Sequence, residues 1–158
     1  MEQGVLIPDE RTAVLIGKNG RTKAKLEKST KTKIEVEDGV EISGEGLDVL
    51  KASEIVKAIG RGFSPRTAFL LLDDNFVLEI VSLEGETKNT IKRLMARVIG
   101  RDGSSKKIIE EKTGCQISVY GKTVSVVGPS DKIEKGTKAV RQLLLGRSHG
   151  FVYGRLKK

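Results

Sequence analysis

Two stretches of this sequence share one design: VLIGKNGRTKAKLEKSTKTKIEVE at residues 14–37 and RVIGRDGSSKKIIEEKTGCQISVY at residues 97–120. Each begins with a pair of glycines three residues apart, continues with a lysine-rich segment and ends in alternating apolar and polar residues. Glycine permits abrupt turns and leaves no side chain in the way of an approaching backbone. The two glycine turns, GKNG at 17–20 and GRDG at 100–103, therefore need a common explanation.

The resemblance between the two stretches extends well beyond the glycines. A shift of 83 residues superposes five further positions: Lys23 on Lys106, Leu26 on Ile109, Thr30 on Thr113, Ile34 on Ile117 and Val36 on Val119. One extra residue then changes the shift to 84, which superposes Val40 on Val124, Ile42 on Val126, Gly44 on Gly128 and Gly62 on Gly146. A matched series of this length indicates an internal repeat.

Periodicity predicts the elements of the first copy. EQGVLIP reads as a strand, and Asp9 is predicted to cap a short helix that carries Ala13, Val14 and Ile16. A basic helix follows the glycine turn and ends near Thr30, and KIEVE and VEIS form a hairpin around Asp38 and Gly39. A long amphipathic helix, closed by Gly60 or Gly62, has its apolar positions at Leu47, Leu50, Ile55, Val56 and Ile59.

The second copy has the same order of elements. FVLEIVSLE is a predicted strand, TKNTIKRLMARVIG and SSKKIIEEKTG are helices, and CQISVY and TVSVVG are strands. The last helix is predicted to begin at Ser130 or Asp131. Both copies thus read strand, helix, glycine turn, helix, strand, strand, helix.

Composition favours binding over catalysis. The 158 residues are 37% apolar, with one cysteine, Cys115, and one histidine, His149. A zinc site of His and Cys ligands needs about four such residues, and no signature places His149 beside a nucleophile, so we expect no enzyme, metal or cofactor. The absence of long apolar runs and of a signal pattern predicts a cytoplasmic protein without membrane contact. We also expect the protein to be a monomer.

Charge is distributed unevenly along the chain. Residues 1–74 hold 12 basic and 13 acidic residues, whereas residues 75–158 hold 17 and 8, which gives local net charges of −1 and +9 within the total of +8. Within the first half, residues 17–33 carry seven basic residues against the single acid Glu27. Such a focused positive field attracts polyanions. A nucleotide-hydrolase loop is excluded, because it needs four residues between its glycines and then Lys followed by Ser or Thr.

Each copy resembles a KH domain of the eukaryotic type I order, and VIGRDG, Lys107, Ile109 and the Thr113–Gly114 pair carry the likeness best. The resemblance implies an α+β fold of two tandem type I KH domains, each with a three-stranded sheet and three helices on one face, joined by a short helix. We assign residues 1–62 and 75–146 to the domains, 63–74 to the linker helix and 147–158 to a basic and aromatic tail.

KH domains clamp the backbone of about four single-stranded nucleotides at this turn. The resemblance implies RNA contact by these residues of the first copy: Gly17, Lys18, Asn19, Gly20, Arg21, Lys23 and Ile34. In the second copy it implies Gly100, Arg101, Asp102, Gly103, Ser104, Lys106, Lys107 and Ile117. A groove beside the turns would be lined by Ile16, Leu26, Ile34 and Val36, and by Ile99, Ile109, Ile117 and Val119, although most of these are expected in the core.

The two copies are not expected to bind RNA equally. Asp102 places a negative charge where a phosphate would lie, so we predict that the first turn grips RNA better. Lys31 replaces the glycine that the second copy has as Gly114, and Lys23 and Lys106 occupy a position that is apolar in the KH consensus. These lysines are expected to favour grip on the backbone over discrimination between bases, or to free one copy for protein contact.

The segment between the two copies and the C-terminal tail indicate a particular family of KH-domain proteins. GRGFSPRTAFLLLDD at 60–74 has Ser64 as a predicted cap with Pro65 at the first helical position, and its apolar face is expected to pack between the domains. This segment and the ending GRSHGFVYGRLKK resemble the Dim/Pno/Krr family of small-subunit ribosome assembly factors. Eukaryotic members have a long N-terminal extension that this sequence lacks, which implies an archaeal member.

The family resemblance implies a non-catalytic protein that binds ribosomal RNA near the 3′ end of the small-subunit molecule. It also implies two protein partners, a PIN-domain endonuclease and the alpha subunit of translation initiation factor two. The alternative is a docking adaptor, in which one KH copy binds protein and RNA contact is secondary. The tail either stacks on RNA through its aromatic and cationic residues or packs back on the domain through Phe151, Val152 and Tyr153.

Overall fold

The computed structural model describes residues 1–156 and divides the chain into two compact units, the first covering residues 1–74 and the second starting at Asn75. Each unit contains one three-stranded antiparallel sheet and helices that pack on it. The α+β fold class and the repeated order of elements predicted from the sequence are confirmed.

The first unit begins with strand β1 (Glu2–Val5) and helix α1 (Asp9–Ile16), and the first glycine turn leads into helix α2 (Arg21–Thr30). Strands β2 (Lys33–Glu37) and β3 (Gly39–Ser43) form the predicted hairpin, and helix α3 (Gly46–Gly60) follows. The sheet order is β1-β3-β2. The unit ends with helix α4 (Pro65–Ala68) and a 3-10 turn at Phe69–Leu72.

The second unit repeats this order. Strand β4 (Phe76–Ser82) precedes helix α5 (Lys88–Ile99), and the second glycine turn leads into helix α6 (Ser104–Thr113). Strands β5 (Gln116–Tyr120) and β6 (Thr123–Pro129) form a hairpin in a sheet of order β4-β6-β5, and helices α7 (Ile133–Leu144) and α8 (His149–Arg155) complete the unit.

The extra residue of the second copy lies in its hairpin. The first hairpin is connected by Asp38 alone, since Glu37 pairs with Gly39, whereas Tyr120 pairs with Thr123 across Gly121 and Lys122. The change of shift from 83 to 84 therefore falls in a turn, where an insertion leaves the register of the strands intact.

Each unit has its own core between its sheet and its helices. In the first, the fully buried large side chains are Leu15, Leu26, Ile34, Ile42, Val49, Ile55, Val56 and Ile59. In the second, the core contains Val98, Ile109, Cys115, Ile117, Val124, Val126, Val140 and Leu143, joined by Val152 and Leu156 from the end of the chain. Burial of these side chains is the main stabilising term for each unit.

Helix α3 departs from the predicted amphipathic pattern. Leu47 is 83% exposed and Leu50 48% exposed, so neither lies on the buried face, which is formed instead around Val49, Ala52 and Ile55. Two predicted helix starts are also wrong. Pro8, not Asp9, is the N-cap of α1, and α7 begins after Lys132 rather than at Ser130 or Asp131.

The segment predicted as a linker belongs to the first unit. Ser64 caps α4 by accepting a hydrogen bond from the Thr67 N–H at 3.2 Å, with Pro65 at the first position as predicted. Ala68 and Leu71 are buried, and the segment packs against α3. At its end Lys51 Nζ donates to the carboxylate of Asp74 at 2.5 Å and holds the pKa of Asp74 below its ordinary value.

Candidate nucleic-acid interface

The two glycine turns have the same backbone. In the first, Gly17 has φ +75° and ψ 177°, Asn19 is left-handed at φ +56°, and Gly20 is left-handed at φ +73°. In the second, Gly100, Asp102 and Gly103 have φ values of +76°, +55° and +75°. Each turn joins two helices by a single 3-10 turn. The repeat in the sequence is thus a repeat in geometry.

The two glycines of a turn have different tasks. A Cβ on Gly17 would collide with the side chain of Thr22, and a Cβ on Gly100 would come within 2.6 Å of Ser105 Cβ. The first glycine therefore allows close packing of the turn on the following helix. A Cβ on Gly20 or Gly103 would meet no atom of the described chain within 4 Å. The second glycine is favoured because its φ is positive, and it leaves open space beside the backbone.

Helices α2 and α6 begin at this open space without a side-chain cap in the described chain. The first N–H groups of a helix have no partner within the helix, and the helix dipole makes this end positive. Such an end binds phosphate and other anions. Each turn thus combines free backbone N–H donors, a positive potential and open space in which a phosphate could approach them.

Exposed cations surround the first turn. Lys18, Asn19 and Arg21 are all exposed, so the turn offers two charges and a neutral amide to solvent. Lys23 is partly buried, and its Nζ lies 3.4 Å from Glu27 Oε1. Part of the positive charge predicted from Lys23 is therefore already paired within the protein.

The second turn is similar but carries a negative charge. Arg101, Asp102, Ser104 and Lys107 are exposed. Lys106 matches Lys23 in its pairing as well as in its position, since its Nζ lies 3.3 Å from Glu110. The left-handed backbone at this position suits Asp102 and Asn19, because Asp and Asn adopt it more readily than other non-glycine residues.

Sequence reasoning missed the role of Glu27 and Glu110. Besides pairing with lysine, Glu27 accepts the N–H of Ile34 at 2.8 Å, and Glu110 accepts the N–H of Ile117 at the same distance. Each carboxylate thus ties the glycine-turn helix to the edge strand beside it. The signal was present, because the two glutamates are themselves related by the shift of 83.

The apolar residues predicted beside the turns divide into two groups. Leu26, Ile34, Ile109 and Ile117 are buried, with Ile34 at 1% and Ile117 at 4% exposure. Base contact by Ile34 and Ile117 stays a prediction, and most of their surface is already covered by protein. Ile16, Val36 and Val119 are partly buried, while Ile99 is 37% exposed.

The tail, as far as Leu156, packs back on the second unit. Val152 and Leu156 enter its core, Tyr153 is partly buried and Phe151 is exposed. Of the tail residues with predicted RNA contact, Lys157 and Lys158 lie outside the described residues.

The lone cysteine has the character of a core residue. Cys115 is fully buried, and burial raises the pKa of its thiol above the ordinary value. Within residues 1–156 no group of three His, Cys, Asp or Glu side chains is arranged to hold a metal ion. Over the same range, none of the helices combines the length and apolar character needed to span a membrane.

Two family models match the chain. A model of the eukaryotic-type KH domain (type I), drawn from the second domain of PNO1 proteins, matches residues 77–158. A general KH-domain model matches residues 2–58. The matches fall on the two structural units.

Curated relatives include archaeal and fungal proteins. A KH domain-containing protein of Methanocaldococcus jannaschii is 44% identical over 161 residues, which cover 96% of this chain and 71% of that protein. The pre-rRNA-processing protein pno1 of Emericella nidulans is 34% identical over 116 residues, 68% of this chain and 44% of that protein. The match thus spans less than half the length of the fungal relative.

Solved structures match over nearly the whole chain. Dim2p from Pyrococcus horikoshii is 45% identical with a TM-score of 0.92, covering 99% of this chain and 98% of that one. The complex of a/eIF2alpha, aDim2p and rRNA from the same organism matches at 45% identity and TM-score 0.91, covering 99% and 92%. Since the type I model matches more than half of the sequence and the M. jannaschii relative aligns over most of its length, the chain belongs to the Dim/Pno/Krr family of tandem KH-domain proteins.

Proposed function

We propose that this chain binds single-stranded RNA and acts in the biogenesis of the small ribosomal subunit, where it holds ribosomal RNA near its 3′ end through the two glycine turns. The observation that carries the proposal is the open space beside Gly20 and Gly103 at uncapped helix starts. The phosphates of the strand would accept hydrogen bonds from the N–H groups there, and exposed Lys18, Arg21, Arg101 and Lys107 would neutralise them.

The choice of ribosomal RNA rests on the relatives. The fungal proteins of the family are named for pre-rRNA processing, and the Pyrococcus relative was crystallised with rRNA. The role is one of binding, without catalysis, in the cytoplasm. A short clamp of about four nucleotides per turn requires unpaired RNA, because base pairing would hide the base edges that the adjoining groove reads.

A titration of RNA against charge-reversed turns tests the proposal. We expect the unmodified protein to bind a single-stranded oligonucleotide of the rRNA 3′ region more tightly than the same oligonucleotide annealed to its complement. Combining Lys18→Asp with Arg101→Asp should lower the affinity at least tenfold, because each change places a carboxylate at a phosphate position. Lys18 and Arg101 are both exposed, so the fold should be retained.

Lys28→Asp combined with Lys112→Asp is the matched control. Both lysines are exposed at the far ends of α2 and α6, and the net change in charge is the same. Equal loss of affinity in the two double variants would show that only overall charge matters, and the assignment to the glycine turns would then be wrong.

Protein docking is the second proposed function. The Pyrococcus complex contains a/eIF2alpha, and the first unit has exposed leucines, Leu47 and Leu50, on a helix where the sequence predicted burial. We propose that the chain docks the alpha subunit of initiation factor two, and a PIN-domain endonuclease during maturation of the subunit. If Leu47→Ser with Leu50→Ser leaves binding of the alpha subunit unchanged by calorimetry, α3 is not the docking surface.

A further inference from the structure

Helix α8 is anchored as part of the second unit. Its apolar side chains Val152 and Leu156 are 1% and 4% exposed and belong to the core that α5, α6 and α7 share. Ser148 caps the helix by accepting a hydrogen bond from the Phe151 N–H at 3.1 Å. A helix with a cap and two buried anchors presents its remaining side chains in fixed positions.

The anchoring places α8 close to the second glycine turn. His149 Nε2 donates a hydrogen bond to the carbonyl of Arg97 at 2.9 Å, and Arg97 lies three residues before Gly100. The same arginine donates from Nε to the Leu143 carbonyl at 2.9 Å and from Nη2 to the Arg147 carbonyl. Helix α8 also packs on α6, which begins where the turn ends.

An exposed aromatic ring of this helix lies close to two guanidinium groups, one from the helix and one from the residue before its N-cap. The Cζ atoms of Arg147 and Arg155 are 5.4 and 4.9 Å from the centre of the Phe151 ring, and Phe151 is 39% exposed. Phe151 and Arg155 are four residues apart in α8 and lie on one face of it, and Arg147 directly precedes the N-cap Ser148. We call Arg147, Phe151 and Arg155 the arginine–phenylalanine stripe.

We propose that the arginine–phenylalanine stripe is a further contact site for RNA, which binds the nucleotides flanking those held at the second glycine turn. The guanidinium groups would pair with phosphates, and Phe151 would stack with an unpaired base. This inference rests on the proposed function, because it extends the path of the same strand.

The chemistry of the stripe favours single-stranded RNA as the occupant. Two arginines without an acidic residue between them complement a polyanion, and the glycine turn of the same unit carries the exposed cations Arg101 and Lys107. Stacking requires an accessible base face, which a duplex does not offer. Since every base has such a face, the stripe would add affinity without choosing the sequence.

Binding of a short and a long RNA distinguishes contact at the stripe from contact at the second glycine turn. A four-nucleotide RNA can occupy the turn alone, whereas a twelve-nucleotide RNA can reach the stripe as well. We expect Phe151→Ala to weaken binding of the longer RNA about tenfold and to leave the shorter one unchanged, as measured by fluorescence anisotropy. Phe151→Tyr should keep the affinity, and Leu145→Ala, which removes another exposed apolar side chain of the unit, should have no effect.

A second variant protects the test against loss of structure. Arg147→Gln with Arg155→Gln leaves Phe151 and the buried anchors in place. It should lower the affinity for the longer RNA and make the slope of log affinity against log salt shallower by roughly 1.4, which corresponds to two phosphate contacts. If Phe151→Ala unfolds at a lower temperature than the parent, the RNA affinity of this double variant decides whether the stripe binds RNA.

Different failures have different meanings. Unchanged binding of the twelve-nucleotide RNA by both stripe variants, with weakened binding by Arg101→Asp, would overturn the stripe and leave the proposed function intact. An equal loss for both RNA lengths would also overturn it. If Lys18→Asp combined with Arg101→Asp binds both RNAs normally, the proposed function itself is wrong.

Discussion

Three residues other than glycine adopt a left-handed backbone in the described chain: Asn19, Lys31 and Asp102. Asn19 and Asp102 are of the types that tolerate it, and both occupy the same place in a glycine turn. Lys31 is not of such a type. It ends α2 at φ +57°, whereas Gly114 ends α6 at φ +75°. The first unit thus carries backbone strain that the second avoids.

Lys31→Gly should stabilise the first unit. Relief of the left-handed strain gains about 1–2 kcal/mol, and the added freedom of glycine in the unfolded chain offsets part of it, so the net gain is about 0.5–1 kcal/mol. Gly114→Lys is the mirror control and should destabilise the second unit by about the same amount. Hydrogen exchange of peptides from each unit during urea unfolding measures the two effects separately.

A result in which Lys31→Gly slows exchange in neither unit would contradict this account. It would mean that the exposed lysine side chain contributes enough favourable contact to cancel the strain.

Asp102→Asn should strengthen RNA binding at the second turn. Asparagine keeps the left-handed backbone, and the change removes one negative charge from the phosphate site. For an exposed charge near 4 Å the Coulomb energy is about 1 kcal/mol, so we expect a gain of about two- to fivefold at low salt. Asn19→Asp should produce the opposite change at the first turn, and titration with RNA measures both. Neither variant should differ from the parent at 1 M salt.

The element most important for RNA binding is the pair of helices joined by each glycine turn, which we call the glycine-turn motif. Its first glycine faces protein and its second faces open space. Its second helix is tied to the edge strand by a glutamate that also holds a lysine. The glycine-turn motif is therefore fixed where it packs on the protein, and its backbone is free of side chains where the RNA would bind.

Gly17→Ala and Gly20→Ala should fail in different ways. Both alanines would be strained by a positive φ, but only the one at Gly17 would also collide with Thr22. We expect Gly17→Ala to destabilise the first unit by about 2 kcal/mol or more. Gly20→Ala should cost about 1 kcal/mol, keep the fold and weaken RNA binding, because its methyl group occupies the open space.

Circular dichroism melts and RNA titration of the two variants distinguish these outcomes. Equal stability of the two, or undiminished RNA binding by a folded Gly20→Ala, would show that the two glycines do not divide their tasks as described.

At the scale of the whole molecule, the two units differ strongly in net charge. The first has a net charge of −1 and the second +9, although the first holds its cations near its glycine turn. A charge at the turn acts on a bound phosphate directly, whereas the effect of charges more than about a Debye length away is largely screened by salt. The affinity of each turn should therefore follow its own residues.

Matched single reversals test which turn dominates. Lys18→Asp and Arg101→Asp change the charge equally, and we expect the larger loss of RNA affinity from Lys18→Asp because the second turn is already weakened by Asp102. The parent should show a slope of roughly −0.7 per phosphate contact in log affinity against log salt, and each reversal should make it shallower. A larger loss from Arg101→Asp would reverse the predicted order.

The repeat, the order of elements and the glycine turns were accessible from the sequence because they depend on local rules. Hydrophobic period, glycine spacing and turn residues act over a few positions, and each rule appears twice in the chain. The helix starts at Asp9 and Ser130 were wrong by one to three residues, since the observed N-caps, Pro8 and Lys132, make no side-chain capping hydrogen bond and so give no cap signal in the sequence.

The fold class and the two glycine turns follow from short periods that occur twice in the sequence, and the family follows from the resemblance of the 60–74 segment and the C-terminal ending to its members. Tertiary structure alone decided that Leu47 and Leu50 of the largely apolar α3 face solvent, that Glu27 and Glu110 are tied to strands, and that α8 lies against Arg97. The contact of His149 with Arg97 joins residues 52 positions apart, and the exposed face of α3 is chosen among apolar residues. The bonds of Glu27 and Glu110 are short in sequence, but they form only because the edge strand lies beside the helix. No local pattern can specify them, because the outcome depends on which surfaces the rest of the fold covers.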